Sequence, residues 1–307
     1  MSIRFDDRTV IVTGAGNGLG KCHALEFARR GARVVVNDVG GARDGSGSSG
    51  EAAEAVVHEI EEAGGQALAN AANVADFAQV EAMVQAAIDK WGRVDVLVNN
   101  AGILRDKTFA KMDLADFQSV VDVHLKGSVN CTKAVWNLMR EQQYGRIVMT
   151  SSSSGIYGNF GQTNYGAAKM ALVGFMNSLA LEGQKYGIRV NALAPIAATR
   201  MTSDLMTAEV LALLEPEAVT PAVIFMAGED APNRQIIGAG AGVFARVVIQ
   251  ETPGVFLRED ERDAEHVAAA WARIADTDGQ QELQAGGEQT MKFIARAAAE
   301  LGIKVSG

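Results

Sequence analysis

Cysteine is scarce: the 307 residues hold two, Cys22 and Cys131. Both fall in helix-like stretches without metal-ligand spacing, which excludes a disulfide framework and points to reduced thiols in a reducing compartment. Histidine is scarce too, at four. His23, His58 and His266 sit in helical stretches with no partners at ligand spacing, so no metal is expected. Positive charge is in deficit: the net charge is -9, with both signs interspersed, which argues against nucleic acid as a main partner. No apolar run is long enough to span a bilayer, so no membrane partner is expected. The opening MSIRFDDRTV has acidic residues and no apolar core, so it does not read as a signal peptide. The closing Val305, Ser306 and Gly307 are not a peroxisomal tripeptide address, and the expected compartment is the cytoplasm. No internal repeat or linker is present. A hydrophobic fraction of 48% against 21% charged residues is that of an ordinary globular chain.

What the chain does contain is an alternation of short apolar strands and helical stretches over its first 195 residues. That pattern predicts an α/β fold: a Rossmann-type, doubly wound parallel sheet with helices on both faces. Strands are expected at 10–13, 33–38, 66–72, 94–98, 145–151 and 189–194, the last stopped by Pro195. Helices are expected at 21–30, 51–63, 77–91, 113–142 (broken near Lys126 and Gly127) and 163–185. Between the first strand and first helix lies Gly14-Ala15-Gly16-Asn17-Gly18-Leu19-Gly20, the context that a dinucleotide fingerprint requires. Gly14 permits the tight turn, Gly18 lets backbone approach a pyrophosphate, and Gly20 lets the helix pack on the strand. The phosphates then meet free N–H groups at the helix N-terminus. Asp38 ends the second strand, where a carboxylate accepts hydrogen bonds from ribose hydroxyls and repels a 2′-phosphate, favouring NAD over NADP. Asn17 is neutral and gives a phosphate no extra charge. Asn73 and Val74 are placed at the adenine edge. Asn100, Ala101 and Gly102 close the fourth strand, small enough to leave room for a cofactor, with Asn amides to tie the loop together. The polar, Gly-rich stretch 40–50 reads as a surface insertion near the adenosine.

Ser152 lies at a carboxyl strand end, where open α/β sheets bind ligands. Tyr165 follows it by thirteen residues and Lys169 by four more, on one face of one helix. A phenol beside a fixed ammonium is a route to a base near neutral pH. Moving a tyrosine from ~10 to ~7 takes about 4 kcal/mol of preference for the phenolate. One ammonium in a partly dry site, with the positive charge of an oxidised nicotinamide, supplies an effect of that size. Ser152 then hydrogen-bonds the substrate oxygen and holds it near the phenol. Tyr157 competes for the role of base, but it has no Lys four residues on and precedes the helix; it reads as a pocket wall or as ordinary packing.

TGAGNGLG, NNAG and the set Ser152, Tyr165 and Lys169 resemble the short-chain dehydrogenase/reductase family over about residues 5–250. NDVGG, NNAGILRDKTF, HLKGS and YGRIVMTSSSSGIYGNFGQTNYGAAK further resemble a subgroup, the (3R)-hydroxyacyl-CoA dehydrogenase units of type 2 peroxisomal multifunctional enzymes, also called type 4 17β-hydroxysteroid dehydrogenases. The resemblance implies that Ser152 orients the substrate oxygen and Tyr165 is the acid/base. Lys169 would bind the nicotinamide ribose and lower the pKa of Tyr165. Gly14, Asn17, Leu19, Asp38, Asn73, Val74 and Asn100 would line an NAD site, with 195–199, from Pro195 to Thr199, around the nicotinamide. His124 stands where the broad family has the Asn of a proton relay; a relay role and a structural role are both open for it. Ile196 replaces the usual Gly after Pro195, and Thr199 comes one residue early.

The implied activity is an NAD-dependent oxidoreductase that interconverts a secondary alcohol and a ketone, (3R)-hydroxyacyl-CoA and 3-ketoacyl-CoA first among substrates. A hydroxysteroid or general carbonyl substrate is the alternative, and a non-catalytic NAD-binding sensor a remote one. Arg105, Lys107 and Arg200 are candidate cations for CoA phosphates. Phe109, Met112 and Met206 are candidates for an apolar channel, and the Met-rich stretch 201–214 for a lid. The family pairs through helices, which here are 113–142 and 163–185, so a homodimer or homotetramer is expected. The domain is drawn as 1–257. In the remaining 258–307, Val267, Trp271 and Ile274 recur at helical spacing, as do Ile294, Ala298 and Leu301. Two amphipathic helices are expected there, separated by 276–287 and packed on the domain or on a partner subunit.

Overall fold

The computed structural model describes residues 2–47, 49–197 and 207–304. Its central strands include apolar runs buried along their whole length, TVIVT and GRIVMT, and a strand of that kind needs cover on both faces. In chain order the elements begin β1 (Thr9–Thr13), α1 (Gly18–Arg29), β2 (Arg33–Asn37), α2 (Glu51–Glu62), β3 (Gln66–Asn70), α3 (Phe77–Trp91) and β4 (Val96–Asn99). They continue with α4 (Leu114–Val121), α5 (Gly127–Gln142), β5 (Gly145–Thr150), α6 (Ser153–Ile156), α7 (Thr163–Gly183) and β6 (Ile188–Pro195). Then come α8 (Ala208–Leu213), α9 (Thr220–Ala227), β7 (Ile236–Gly240) and β8 (Val243–Val247).

The sheet runs β3-β2-β1-β4-β5-β6-β7-β8. Every pair from β3 to β7 is parallel, as the alternation requires. β8 returns beside β7 after two residues, Ala241 at φ 50° and Gly242 at φ 74°, a turn that only an antiparallel hairpin uses. This hairpin takes up the IIGAGAGV stretch. The order reverses between β1 and β4, so the carboxyl ends of these strands open a crevice at a topological switch point.

The long helix expected at 113–142 is not broken at Lys126 and Gly127. It passes from α4 through a π-helical turn, Asp122–Lys126, into α5. The turn carries His124, and single π turns in α-helices are frequent at functional sites. Gly127 faces Val74 so closely that a Cβ would lie 2.6 Å from its Cγ2, which explains a glycine within the helix.

The chain divides into two compact units, residues 1–246 and 247–307. The second begins earlier than the boundary drawn at 257, because the segment before 257 bonds to the tail. Glu251 pairs with Gln281, Thr252 Oγ1 donates to the Ile274 carbonyl at 2.6 Å, and Lys292 Nζ lies 2.8 Å from Glu251. Within that unit α10 (Ala264–Ala269) and α11 (Trp271–Ile274) form the first helical stretch and α12 (Gly286–Leu301) the second. Among the described residues no helix is long and apolar enough to cross a membrane. Both thiols are free and pushed up to about 12, first by burial.

Candidate active site

The crevice is a cleft of about 1030 Å³. One end is made by the turn between β1 and α1. Gly14, Asn17, Gly18, Leu19 and Gly20 line it, with Asp38, Asn73, Val74, Asn100, Ala101 and Gly102. His124, Tyr165, Lys169 and Pro195 line the same cleft, so it joins the two sets of residues singled out from the sequence. Thr199, Arg200 and Met206 fall outside the described residues, as does the first part of the lid stretch, 201–206, whereas 207–214 carries α8.

Packing holds the phosphate end in shape. A Cβ on Gly20 would sit 2.1 Å from the Gly14 carbonyl oxygen, which fixes a glycine there. The Asn100 side chain donates to the carbonyls of Thr13 and Gly14 at 2.9 and 3.0 Å, tying the β4 loop to the Gly-rich turn. Asn17 caps α1 with extended backbone and no side-chain hydrogen bond, and no acidic residue lies in the first turn. The free N–H groups there are therefore not countered by a carboxylate. Asp38 accepts from the Gly16 N–H and the Gly40 N–H, both at 2.8 Å, one on each carboxylate oxygen. Each oxygen keeps a second lone pair for a ribose hydroxyl. These features fit a dinucleotide.

At the other end, α7 carries both Tyr165 and Lys169. Lys169 is 3% exposed, and its ammonium donates to the Thr150 carbonyl at the end of β5. It lies 5.4 Å from the centre of the Tyr165 ring. Burial lowers its pKa from 10.5 to about 7. Tyr165 is raised, by burial first, while a hydrogen bond with Ser152 acts in the opposite direction. The protein's own groups therefore leave the phenol above its ordinary value, because desolvation outweighs the Ser152 hydrogen bond. Ser152 caps α6, and its Oγ accepts from the Ser154 N–H at 3.1 Å, leaving its own hydrogen free to donate. Tyr157 is 72% exposed at the end of α6.

His124 is buried, and its ring meets Tyr165 edge-to-face, with centroids 5.1 Å apart at 88°. Its Nε2 lies 2.8 Å from the Ile103 carbonyl and 3.1 Å from the Ile103 nitrogen, so the tautomer selects one bond. Its Nδ1 finds no partner among the described residues. Burial, then Lys169, lowers its pKa to about 3, so the ring is neutral at working pH. A Cβ on Gly102 would fall 2.3 Å from the His124 ring, which ties the glycine of NNAG to this histidine.

Two expected features look different in three dimensions. Arg105 and Lys107 do converge, but on carboxylates. Arg105 Nη1 is 3.0 Å from Asp116, and Lys107 Nζ is 2.8 Å from Asp116 and 3.4 Å from Asp113. Phe109 does not enclose a channel: it is 68% exposed and is not among the residues that line the cleft. Sequence reading missed Arg43, Ser119, Asp122 and Ile103 as cleft residues. It also missed the Thr150 carbonyl, a backbone group with no side-chain signal.

The family profile described as short chain dehydrogenase matches residues 8–209. The chain belongs to this family. It is 48% identical over 279 residues to a peroxisomal multifunctional enzyme A of Dictyostelium discoideum, covering 91% of this chain and 62% of that one. The solved full-length peroxisomal multifunctional enzyme type 2 of Drosophila melanogaster superposes with a TM-score of 0.80 at 37% identity, over 95% of this chain and 50% of that one. The chain thus spans roughly half to two thirds of these larger relatives. A 7α-hydroxysteroid dehydrogenase solved with NADH and a 7-oxo bile acid matches with a TM-score of 0.70 at 31% identity, over 78% of this chain and 95% of that one. The dehydrogenase class, the Rossmann-type fold and a nicotinamide cofactor follow from family membership.

Proposed function

We propose that this chain is an NAD-dependent dehydrogenase that interconverts (3R)-hydroxyacyl-CoA and 3-ketoacyl-CoA. The observation that carries the reading is that Tyr165 and Lys169 line the cleft whose far end is the Gly-rich turn, with Ser152 hydrogen-bonded to Tyr165. A non-catalytic NAD sensor has no need of that set. Asp38 favours NAD, since a 2′-phosphate beside it meets a carboxylate. When bound, NAD supplies the hydride acceptor and, oxidised, a positive charge near the phenol.

The residues then divide the work. Ser152 donates to the substrate oxygen and holds the carbinol carbon toward the nicotinamide side of the cleft. Tyr165 takes the hydroxyl proton as the carbinol hydrogen leaves as hydride, so the alcohol gives up one proton and one hydride, two hydrogens and two electrons in all. The Lys169 ammonium favours the phenolate and offers donors to ribose hydroxyls. His124, neutral, acts as a positioning residue: it fixes the Ile103 peptide and backs the Tyr165 ring. Likeness to the bile-acid enzyme supports a hydroxysteroid as the second reading. The Dictyostelium and Drosophila relatives are named as peroxisomal enzymes.

The test follows NADH absorbance with NAD or NADP, using matched (3R)- and (3S)-hydroxyacyl-CoA and a 17β-hydroxysteroid. Turnover of the (3R) thioester with NAD, and little with NADP, is the expected result. Turnover of the steroid alone would move the assignment to the second reading, and preference for NADP would remove the role given to Asp38. The proposed assembly is a dimer or tetramer through α5 and α7, where Met170 and Leu181 of α7 are 38% and 49% exposed. Light scattering should give two or four chain masses; a monomer mass at assay concentration refutes this.

A further inference from the structure

The Gly-rich stretch after Asp38 crosses the sheet. It leaves the end of β2, and its far side bonds to the loop after β4, although β1 lies between those strands. The Leu104 N–H donates to the Arg43 carbonyl at 3.0 Å, and Arg105 Nε donates to the Asp44 carbonyl at 3.0 Å. Residues 40–47 therefore pass over the carboxyl end of β1 and its phosphate-binding turn. That is the switch point at which a dinucleotide lies. Gly41, Ala42, Arg43, Gly45 and Gly47 line the same cleft as Gly18, Asp38 and Tyr165.

Both ends of this strap are fastened to working parts of the site. At its start the Gly40 N–H is held by Asp38, whose other oxygen holds the Gly16 N–H of the Gly-rich turn. At its far end Gly45, at φ +86°, packs so closely on Ile103 that a Cβ would lie 3.1 Å from the Ile103 side chain. Ile103 is the residue bonded to His124. Arg105 joins the pieces: its Nη1 reaches Asp116 at 3.0 Å and Ser119 at 3.4 Å on α4, its Nε holds the strap, and its carbonyl accepts from Asn164 beside Tyr165. A guanidinium supplies such a fork of donors, which a lysine does not.

We propose that residues 40–47 are a strap that roofs the dinucleotide site, and that Arg105 is the positioning residue that latches it, so that release of the cofactor requires the latch to open. The inference rests on the nicotinamide reading above. It also gives Arg105 a task other than binding CoA phosphates. Bound dinucleotide is trapped between the Gly-rich turn below and the strap above. With the latch broken, the roof swings on Gly40 and Gly47, both at positive φ, and the cofactor leaves faster.

The test is stopped-flow displacement of NADH, read by its fluorescence. Arg105→Ala should speed release roughly tenfold, the scale of one charge-assisted hydrogen-bond set. Gly45→Val, which pushes the strap off Ile103 without touching Arg105, should do the same. Lys107→Ala removes a cation from the same Asp116 but has no bond to the strap, so it should release at the wild-type rate. Trypsin supplies a readout independent of turnover: NADH should slow cutting after Arg43 in the wild type, and less so in Arg105→Ala. Wild-type release in both strap variants would overturn the proposal, as would equal acceleration by Lys107→Ala. A wild-type protein that binds no NADH would sink this inference and the nicotinamide reading together, whereas a normal NADH affinity with an inert latch would sink the strap alone.

Discussion

Tyr165→Phe should lower turnover by roughly a thousandfold or more while leaving NADH binding in place, measured by initial rates beside fluorescence titration. The substitution removes one oxygen. The ring keeps its edge-to-face contact with His124 and its place against Lys169, so the cleft wall is preserved. Among the described residues His124, at about 3, is too weak a base to stand in, and Tyr157 is 72% exposed. In the wild type, burial raises the Tyr165 pKa, so the phenolate forms only at the upper end of the pH range unless an added positive charge favours it. Alcohol oxidation, which needs the phenolate, should climb with pH. Ketone reduction, which needs the phenol, should fall. Turnover unaffected by Tyr165→Phe would remove the mechanism.

The second large effect concerns Lys169, where function and stability pull apart. Its folded pKa of about 7 lies well below the 10.5 of the unfolded chain. Between those values the unfolded state binds the extra proton, so stability rises with pH across that window. Below pH ~7 the cost of a buried ammonium is fully present, several kcal/mol at roughly 1.4 kcal/mol per unit. Lys169→Met carries no charge and fills a similar volume. It gives up the hydrogen bond to Thr150, a loss on the order of 1–3 kcal/mol. At pH 6 the variant without cofactor should therefore melt above the wild type, and the gap should close or reverse by pH 10. Its turnover should fall by about a hundredfold or more, because the phenolate loses its ammonium. Thermal melts at the two pH values and one rate assay decide the matter. A variant that melts below the wild type at pH 6 would show that Lys169 is not a stored cost.

Much of this site was legible in one dimension because the chemistry is local. Tyr165 and Lys169 share a helix face, so a spacing of four states their proximity, and the Gly-rich turn is bounded by its own strand and helix. The π turn at 122–126 was not legible. Nothing in DVHLK distinguishes it from the α-helix on either side, and it is the fit of His124 against Gly102 that accompanies it. Arg105 and Lys107 were legible only as candidate cations, and their convergence on Asp113 and Asp116 depends on how the loop folds back.

The sequence by itself determined the fold class and placed the Gly-rich turn and the proposed reacting groups. Each of these depends on residues that are neighbours along the chain or one helical turn apart. The tertiary structure alone decided the protonation setting and the roof of the site. Burial, which no spacing encodes, lowers Lys169 and raises Tyr165. The path of residues 40–47 follows from the sheet order: β1 lies between β2 and β4, so a segment leaving β2 and bonding to Leu104 and Arg105 must pass above the Gly-rich turn.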